Sequence, residues 1–217
     1  MLKLDGQDIG HGGAPVLSDV RLSVRPGERV ALLGRSGSGK STLLGALHRA
    51  MGDRRVALVP QDTALVPQLS ALRNVLMGRL DDHGAIRNLA TLIRPRRADR
   101  DAALAVLARV GLTPEADRAV EGLSGGQQQR VGLARAIFRG GEIILGDEPM
   151  SAVDPIQAEV LAQEIRAAFP TAILALHDVG LAHAFATRVI GLRHGRILID
   201  APIADLDAAT VEELYAR

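Results

Sequence analysis

The feature that most constrains this chain is the run Gly34-Arg35-Ser36-Gly37-Ser38-Gly39-Lys40-Ser41, which fits the pattern G-x-x-x-x-G-K-[ST]. It follows the apolar run Val30-Ala31-Leu32-Leu33 and opens a helical pattern from Ser41 to Ala50. The glycines let backbone N–H groups turn toward a single anion, the helix end adds its positive dipole, and Lys40 adds a full charge. Gly34, Arg35, Ser36, Gly37, Ser38, Gly39, Lys40, Ser41 and Thr42 therefore read as a phosphate cradle, with the Ser41 hydroxyl available to a Mg²⁺ ion. Lys occurs at only two positions, Lys3 and Lys40.

A strand that feeds such a loop predicts an α/β protein with a mostly parallel sheet covered by helices. Further strands are expected at Arg55-Val56-Ala57-Leu58-Val59, Glu142-Ile143-Ile144-Leu145 and Ala172-Ile173-Leu174-Ala175-Leu176, with a helix from Ile156 to Ala168. Val189-Ile190-Gly191-Leu192 and Arg196-Ile197-Leu198-Ile199 flank Arg193-His194-Gly195 as a hairpin at a sheet edge. From Ser70 to Arg139 the pattern is helical, with Asp99 and Asp101 in the first turn of an apolar helix. The expected organisation is one domain over 1–217, with a core of 1–62 and 141–217 and a helical subdomain of 63–140.

The balance of 26 Lys and Arg against 25 Asp and Glu gives a net charge of +1, so no bulk positive field favours a nucleic-acid partner. The absence of Cys removes disulfide frameworks, thiol catalysis and cysteine-ligated metals, and suits a reducing cytoplasm. Neither a signal-peptide run at the N-terminus nor a membrane-spanning run of about 18 apolar residues is expected.

A second chemical element is Ile143-Ile144-Leu145-Gly146-Asp147-Glu148-Pro149, a buried strand that delivers two adjacent carboxylates at its C-terminal end. Ligands of open α/β sheets bind there. In this reading Asp147 holds Mg²⁺, directly or through water, and Glu148 polarises an attacking water as general base. The stretch Arg94-Pro95-Arg96-Arg97-Ala98-Asp99-Arg100 reads as a solvated basic loop.

Between these two elements lies Leu123-Ser124-Gly125-Gly126-Gln127, followed by Gln128-Gln129-Arg130, and this arrangement resembles ATP-binding cassette (ABC) ATPases over essentially the whole chain. The resemblance implies a P-loop NTPase core of the ABC type that binds and hydrolyses ATP with Mg²⁺. It implies Gln61 as a loop glutamine serving catalysis and the metal, Asp154 within Ser151-Ala152-Val153-Asp154 as a residue of the nucleotide site, and His177 as a switch histidine. It also implies a head-to-tail dimer with a second ATP-binding subunit, in which Ser124, Gly125, Gly126 and Gln127 of one subunit face the nucleotide held by the other's Lys40 loop.

Two segments depart from that family. The aromatic that often stacks on adenine is missing, since no Phe, Tyr or Trp precedes Phe138, and His11 takes its place by spacing. The segment from Lys40 to Gln61 is short, so a reduced antiparallel β-subdomain is expected. Asn74-Val75-Leu76-Met77-Gly78-Arg79-Leu80 and Thr187-Arg188-Val189-Ile190-Gly191-Leu192-Arg193 resemble the phosphonate importer branch. That implies separate transmembrane permease chains and a subunit peripheral to the inner face of the membrane. The apolar residues Leu65, Val66, Leu69, Leu72, Val75, Leu76 and Met77 would then leave some members exposed for docking. Two other roles stay open: an ABC ATPase without a permease, as in DNA repair or translation, and a regulatory subunit that hydrolyses poorly. The first usually carries coiled-coil insertions or two cassettes; Glu148 and His177 argue against the second.

Overall fold

The computed structural model describes residues 2–11 and 14–216, apart from the side chains of His11, Leu89, Ala90 and Leu92. Two units divide the chain: Met1–Val56, Glu142–Glu148 and Phe169–Arg217 form the first, and Ala57–Gly141 with Pro149–Ala168 form the second.

In the first unit, β1 (Leu2–His11) and β2 (Ala14–Val24) make an antiparallel pair. This is the reduced β-subdomain: the segment between α1 (Lys40–Ala50) and β4 (Val56–Val59) adds no strand. The main sheet is built on β3 (Arg29–Leu33), which lies between β6 (Thr171–Ala175) and β7 (Arg188–Arg193), parallel to both. β5 (Ile143–Asp147) pairs in parallel with β6 on its other side. β8 (Arg196–Pro202) returns antiparallel to β7 and closes the edge as the expected hairpin.

Burial explains the patterns. Val30, Ala31, Leu32 and Leu33 are all fully buried, because a central parallel strand is covered on both faces and has no polar side to alternate with. β8 alternates half-buried and exposed residues, as an edge strand does. Leu43 and Leu47, one turn apart on α1, are fully buried within the core that includes Leu17, Val30, Leu32 and Ile173. Two short helices, α7 (Val179–Phe185) and α8 (Ala208–Tyr215), complete this unit. Asp178 and Asp207 cap them by accepting from the amides of Leu181 and Thr210.

The second unit is helical: α2 (Ala71–Leu76), a 3-10 turn at Met77–Asp82, α3 (Ala85–Ile93), α4 (Arg97–Arg109), α5 (Gly125–Arg139) and α6 (Pro155–Ala168). α2 packs against α4 and α5. That packing corrects the expected docking run: Leu72, Val75 and Leu76 are core, and Leu65, Val66, Leu69 and Met77 are half-buried, so none stands exposed. The exposed large apolar side chains of this unit lie elsewhere, and Ile86 (89% exposed) and Ile93 (69%) project from α3 at i and i+7. Among the described residues, no helix is long and apolar enough to cross a membrane.

Asn74 is fully buried on α2 and sequence reasoning gave it no role. Its Oδ1 accepts from the Val66 amide at 2.8 Å, and its Nδ2 donates to the carbonyls of Val66, Leu69 and Ser70 at 3.0–3.2 Å. One amide thus fixes the loop before α2 from within, beside the antiparallel bridge that joins Ser70 to Ala119. Buried groups left unpaired cost about 1–3 kcal/mol each, so Asn74→Ala is expected to lower unfolding free energy by at least about 2 kcal/mol in urea titrations. A loss below about 0.5 kcal/mol would remove the loop-organising role.

Candidate functional site

Parallel pairing puts three strand ends side by side. Leu32 aligns with Ala175, and Ala175 aligns with Asp147. The Leu176 amide donates to the Leu32 carbonyl at 3.0 Å, and the Glu148 amide donates to the Ala175 carbonyl at 3.1 Å. Gly34, His177 and Glu148 therefore emerge together at the C-terminal edge of the sheet.

The loop at β3 has a shape that only its glycines permit. Gly34 has φ +141°, and a Cβ there would lie 2.4 Å from the Leu192 carbonyl oxygen and 2.8 Å from Ser38 Oγ. Gly39 has φ +105°, and a Cβ would meet the Leu17 side chain at 2.5 Å. Gly39 is also the N-cap of α1 and supplies no side-chain cap, so the first turn of that helix is not closed off by its own chain. Lys40 is buried, and its Nζ donates to the carbonyls of Gly34 at 2.7 Å and Arg35 at 3.1 Å. Burial pulls the Lys40 pKa below its ordinary value, while the carboxylates of Glu148 and Asp147 act in the opposite sense.

Across the edge, Asp147 is buried and its Oδ1 has no hydrogen-bond partner within the protein, an expensive arrangement for a carboxylate with only structural duties. Glu148 adopts φ +54°, which side chains other than glycine rarely take. That conformation turns its carboxylate to His177, whose Nε2 lies 2.5 Å from Glu148 Oε1. The first unit thus brings together the 34–42 loop, Asp147, Glu148 and His177. His11 ends β1, but its side chain lies outside the described residues.

The remaining candidates belong to the second unit. Gln61 is exposed in the loop after β4. Ser124 caps α5 through a reciprocal box: its Oγ accepts from the Gln127 amide at 3.3 Å, and Gln127 Oε1 accepts from the Ser124 amide at 2.9 Å. Gln127 Nε2 also donates to Glu115 at 3.2 Å. A Cβ on Gly125 would enter open space, whereas one on Gly126 would stand 2.4 Å from the Ala152 carbonyl oxygen. Asp154 Oδ1 accepts from the Gln157 amide at 3.0 Å and so helps start α6. Gln129, four residues after Gly125, brackets the Ser151-Ala152 segment: Nε2 donates to Ser151 Oγ at 3.0 Å, and Oε1 accepts from the Ala152 amide at 2.8 Å.

Such a phosphate loop, a carboxylate pair at the end of a strand two places along the same sheet and a glycine-opened helix define a nucleotide-binding cassette. The chain belongs to the ABC transporter family, whose model matches residues 17–151, and it is an ABC transporter ATPase cassette. It is 41% identical over 243 residues to the phosphite import ATP-binding protein PxtA of Stutzerimonas stutzeri, covering 100% of this chain and 87% of the relative. It is 39% identical over 245 residues to the phosphonates import ATP-binding protein PhnC 2 of Pseudomonas aeruginosa (strain UCBPP-PA14), covering 100% and 91%. Among solved structures it is similar to the dimeric, post-hydrolysis ATP-binding cassette MJ0796 bound to ADP and Pi. That match has a TM-score of 0.76 and 27% identity over 94% of this chain and 99% of the other.

Gly125 and Gly126 should respond differently to substitution. Gly125→Ala is expected to leave unfolding free energy within about 0.5 kcal/mol, as surface changes do. Gly126→Ala, which forces a methyl group into the Ala152 carbonyl, is expected to cost about 1–3 kcal/mol by overpacking. Equal losses in chemical denaturation would contradict the close approach of α5 and the 151–152 segment.

Proposed function

We propose that this chain is the ATP-hydrolysing subunit of an importer for phosphonate or a related phosphorus oxyanion. The observation that carries the reading is the end-to-end similarity, at about 40% identity, to a phosphite import and a phosphonates import ATP-binding protein. In this reading residues 63–140 act as the helical subdomain on a core of 1–62 and 141–217. The subunit works in the cytoplasm at the inner face of the membrane, with a second ATP-binding subunit head to tail and separate permease chains.

The chemistry follows from the sheet edge. The 34–42 loop binds the phosphates through backbone N–H groups, and Lys40 exchanges its two carbonyl partners for phosphate oxygens. Glu148 accepts a proton from the attacking water, and His177, in contact with the same carboxylate, holds it in the orientation that φ +54° begins. Within the first unit the donors fit Mg²⁺: Ser41 offers a neutral oxygen and Asp147 a buried carboxylate oxygen that the protein leaves unpaired; the ABC resemblance assigns Gln61 to the same ion. Bound there, Mg²⁺ would neutralise charge on the phosphate oxygens. The amides of Gly125 and Gly126, framed by the Ser124–Gln127 box, serve the nucleotide held by the partner subunit together with Ser124, Gln127 and Asp154. By its spacing in the sequence, His11 is assigned to the base. The exposed Ile86 and Ile93 of α3 supply an apolar surface suited to a permease segment.

Glu148→Gln is expected to retain ATP binding while cutting hydrolysis by roughly 10²–10⁴, the usual size of a general-base contribution. Lys40→Ala is expected to weaken ATP binding itself, since its charge faces the phosphates before as well as during reaction. Titration and steady-state turnover separate the two, and unchanged turnover in Glu148→Gln would refute the assignment. For the transport role, Ile86→Asp should leave basal ATPase activity within about twofold, the range of a change remote from the reacting groups. It should abolish both co-purification with a permease and uptake of radiolabelled phosphonate or phosphite. Uptake that survives deletion of the gene, with no second importer present, would end the importer reading.

A further inference from the structure

Within the second unit, four residues spaced three apart on α5 touch the two loops that flank its chemistry. At 100° per residue, Gly126, Gln129, Gly132 and Arg135 form one oblique row along the helix. The first two face the Ser151-Ala152 segment, as described above. The last two face the Gln61 loop. A Cβ on Gly132 would lie 3.3 Å from Thr63 Cγ2, so the loop rests directly on the helix. Arg135 then reaches over it: Nη2 donates to the Thr63 carbonyl at 2.6 Å and Nη1 to the Ala64 carbonyl at 2.7 Å.

We propose that Arg135 is a positioning residue: its guanidinium fork clamps the loop carrying Gln61 to α5, so that this loop, the Ser124 turn and the Ser151-Ala152 segment move as one piece. The fork is what suits it to the task. Two successive carbonyls require two donors held in a plane, which a guanidinium has and an ammonium lacks. The loop also needs a restraint, because Ala64 sits at φ +48°, where an alanine left to itself rarely stays. Burial lowers the Arg135 pKa, in keeping with a cation whose partners here are carbonyls. A clamp of this kind links what happens at Gln61 to the orientation of the amides at Ser124–Gly126, without any contact between Arg135 and nucleotide.

The inference rests on the proposed role of Gln61 only in its catalytic arm, so the test has two arms on the full chain. In the first, hydrogen exchange of the Ala64 and Val66 amides is measured in the parent, in Arg135→Lys, and in Arg130→Lys. Arg130 is the control because it anchors the same helix elsewhere, to the carbonyls of Val110 and Gly111 at 3.0 and 3.2 Å. Arg135→Lys is expected to speed exchange in the loop about tenfold and Arg130→Lys to leave it within twofold. In the second arm, Arg135→Lys is expected to lower kcat about fivefold with KM for ATP within twofold, because the phosphate cradle is untouched. The same substitution in a Gln61→Ala background should then cost less than twofold more, the non-additivity expected of residues acting through one another. Arg135→Met, which loses both donors, should exceed Arg135→Lys in both arms; thermal midpoints identify any variant that fails to fold, and Arg135→Lys then decides. Unchanged loop exchange would overturn the clamp. An equal loss of kcat with and without Gln61 would overturn its action through that residue. Full turnover in Gln61→Ala alone would instead remove the assigned role of Gln61, and the exchange arm would still decide the clamp.

Discussion

Because β3, β6 and β5 run parallel with Leu32, Ala175 and Asp147 in line, three segments distant in sequence finish at one edge and face one another there. The alignment is held by backbone hydrogen bonds that continue past the strands, from Leu176 to Leu32 and from Glu148 to Ala175. A slip of one residue in β5 would turn Asp147 to the opposite face, since side chains alternate along a strand. The buried apolar residues on both faces prevent that slip. Ile144, Ile173, Leu174, Val30 and Leu32 have no exposed register to move into without uncovering core. Precision at the site is thus a consequence of packing beneath it.

The same edge concentrates charge that the protein does not fully neutralise. Lys40 is removed from water and held by two carbonyls, which supply partial charges but no counter-ion. Desolvation works against its proton, and the carboxylates of Asp147 and Glu148 work for it. Asp147 in turn keeps a buried oxygen unpaired by the protein, and Glu148 keeps a strained backbone conformation. Each cost is small beside the stability of a sheet buried on both faces, and each leaves a group prepared for an anion or a cation that the chain itself does not provide.

The phosphate loop and the carboxylate strand were legible in the sequence because each is a short contiguous motif attached to an unbroken apolar strand. The hairpin at Arg193-His194-Gly195 was legible for the same reason. β1 and β2 are not legible in the same way. Their register shifts between Asp5 and Gln7, Gln7 and Ile9, and Ile9 and Gly10, and each shift breaks the period-two alternation on which recognition depends. The docking run misled because a dense apolar cluster has the same composition whether it faces a partner or α4 and α5. Asn74 and Arg135 escaped notice because their partners are main-chain carbonyls, which no pattern of side chains records.

At the start of α5 the division of labour is set by hydrogen-bonding capacity. The box between Ser124 and Gln127 uses the Ser124 hydroxyl and the Gln127 side-chain oxygen as acceptors and satisfies the amides of both residues, while Gln127 Nε2 donates to Glu115 outside the box. The box does not use the amides of Gly125 and Gly126. These two lie in the first turn, where the helix dipole is positive and where a side chain at 125 would otherwise cover the approach. Gly126 meets a second demand from the other side, since the Ala152 carbonyl passes where its Cβ would be. One glycine is therefore small for what must come close from outside, and its neighbour is small for what already lies against it. Sequence alone, which shows two identical residues, cannot separate those reasons.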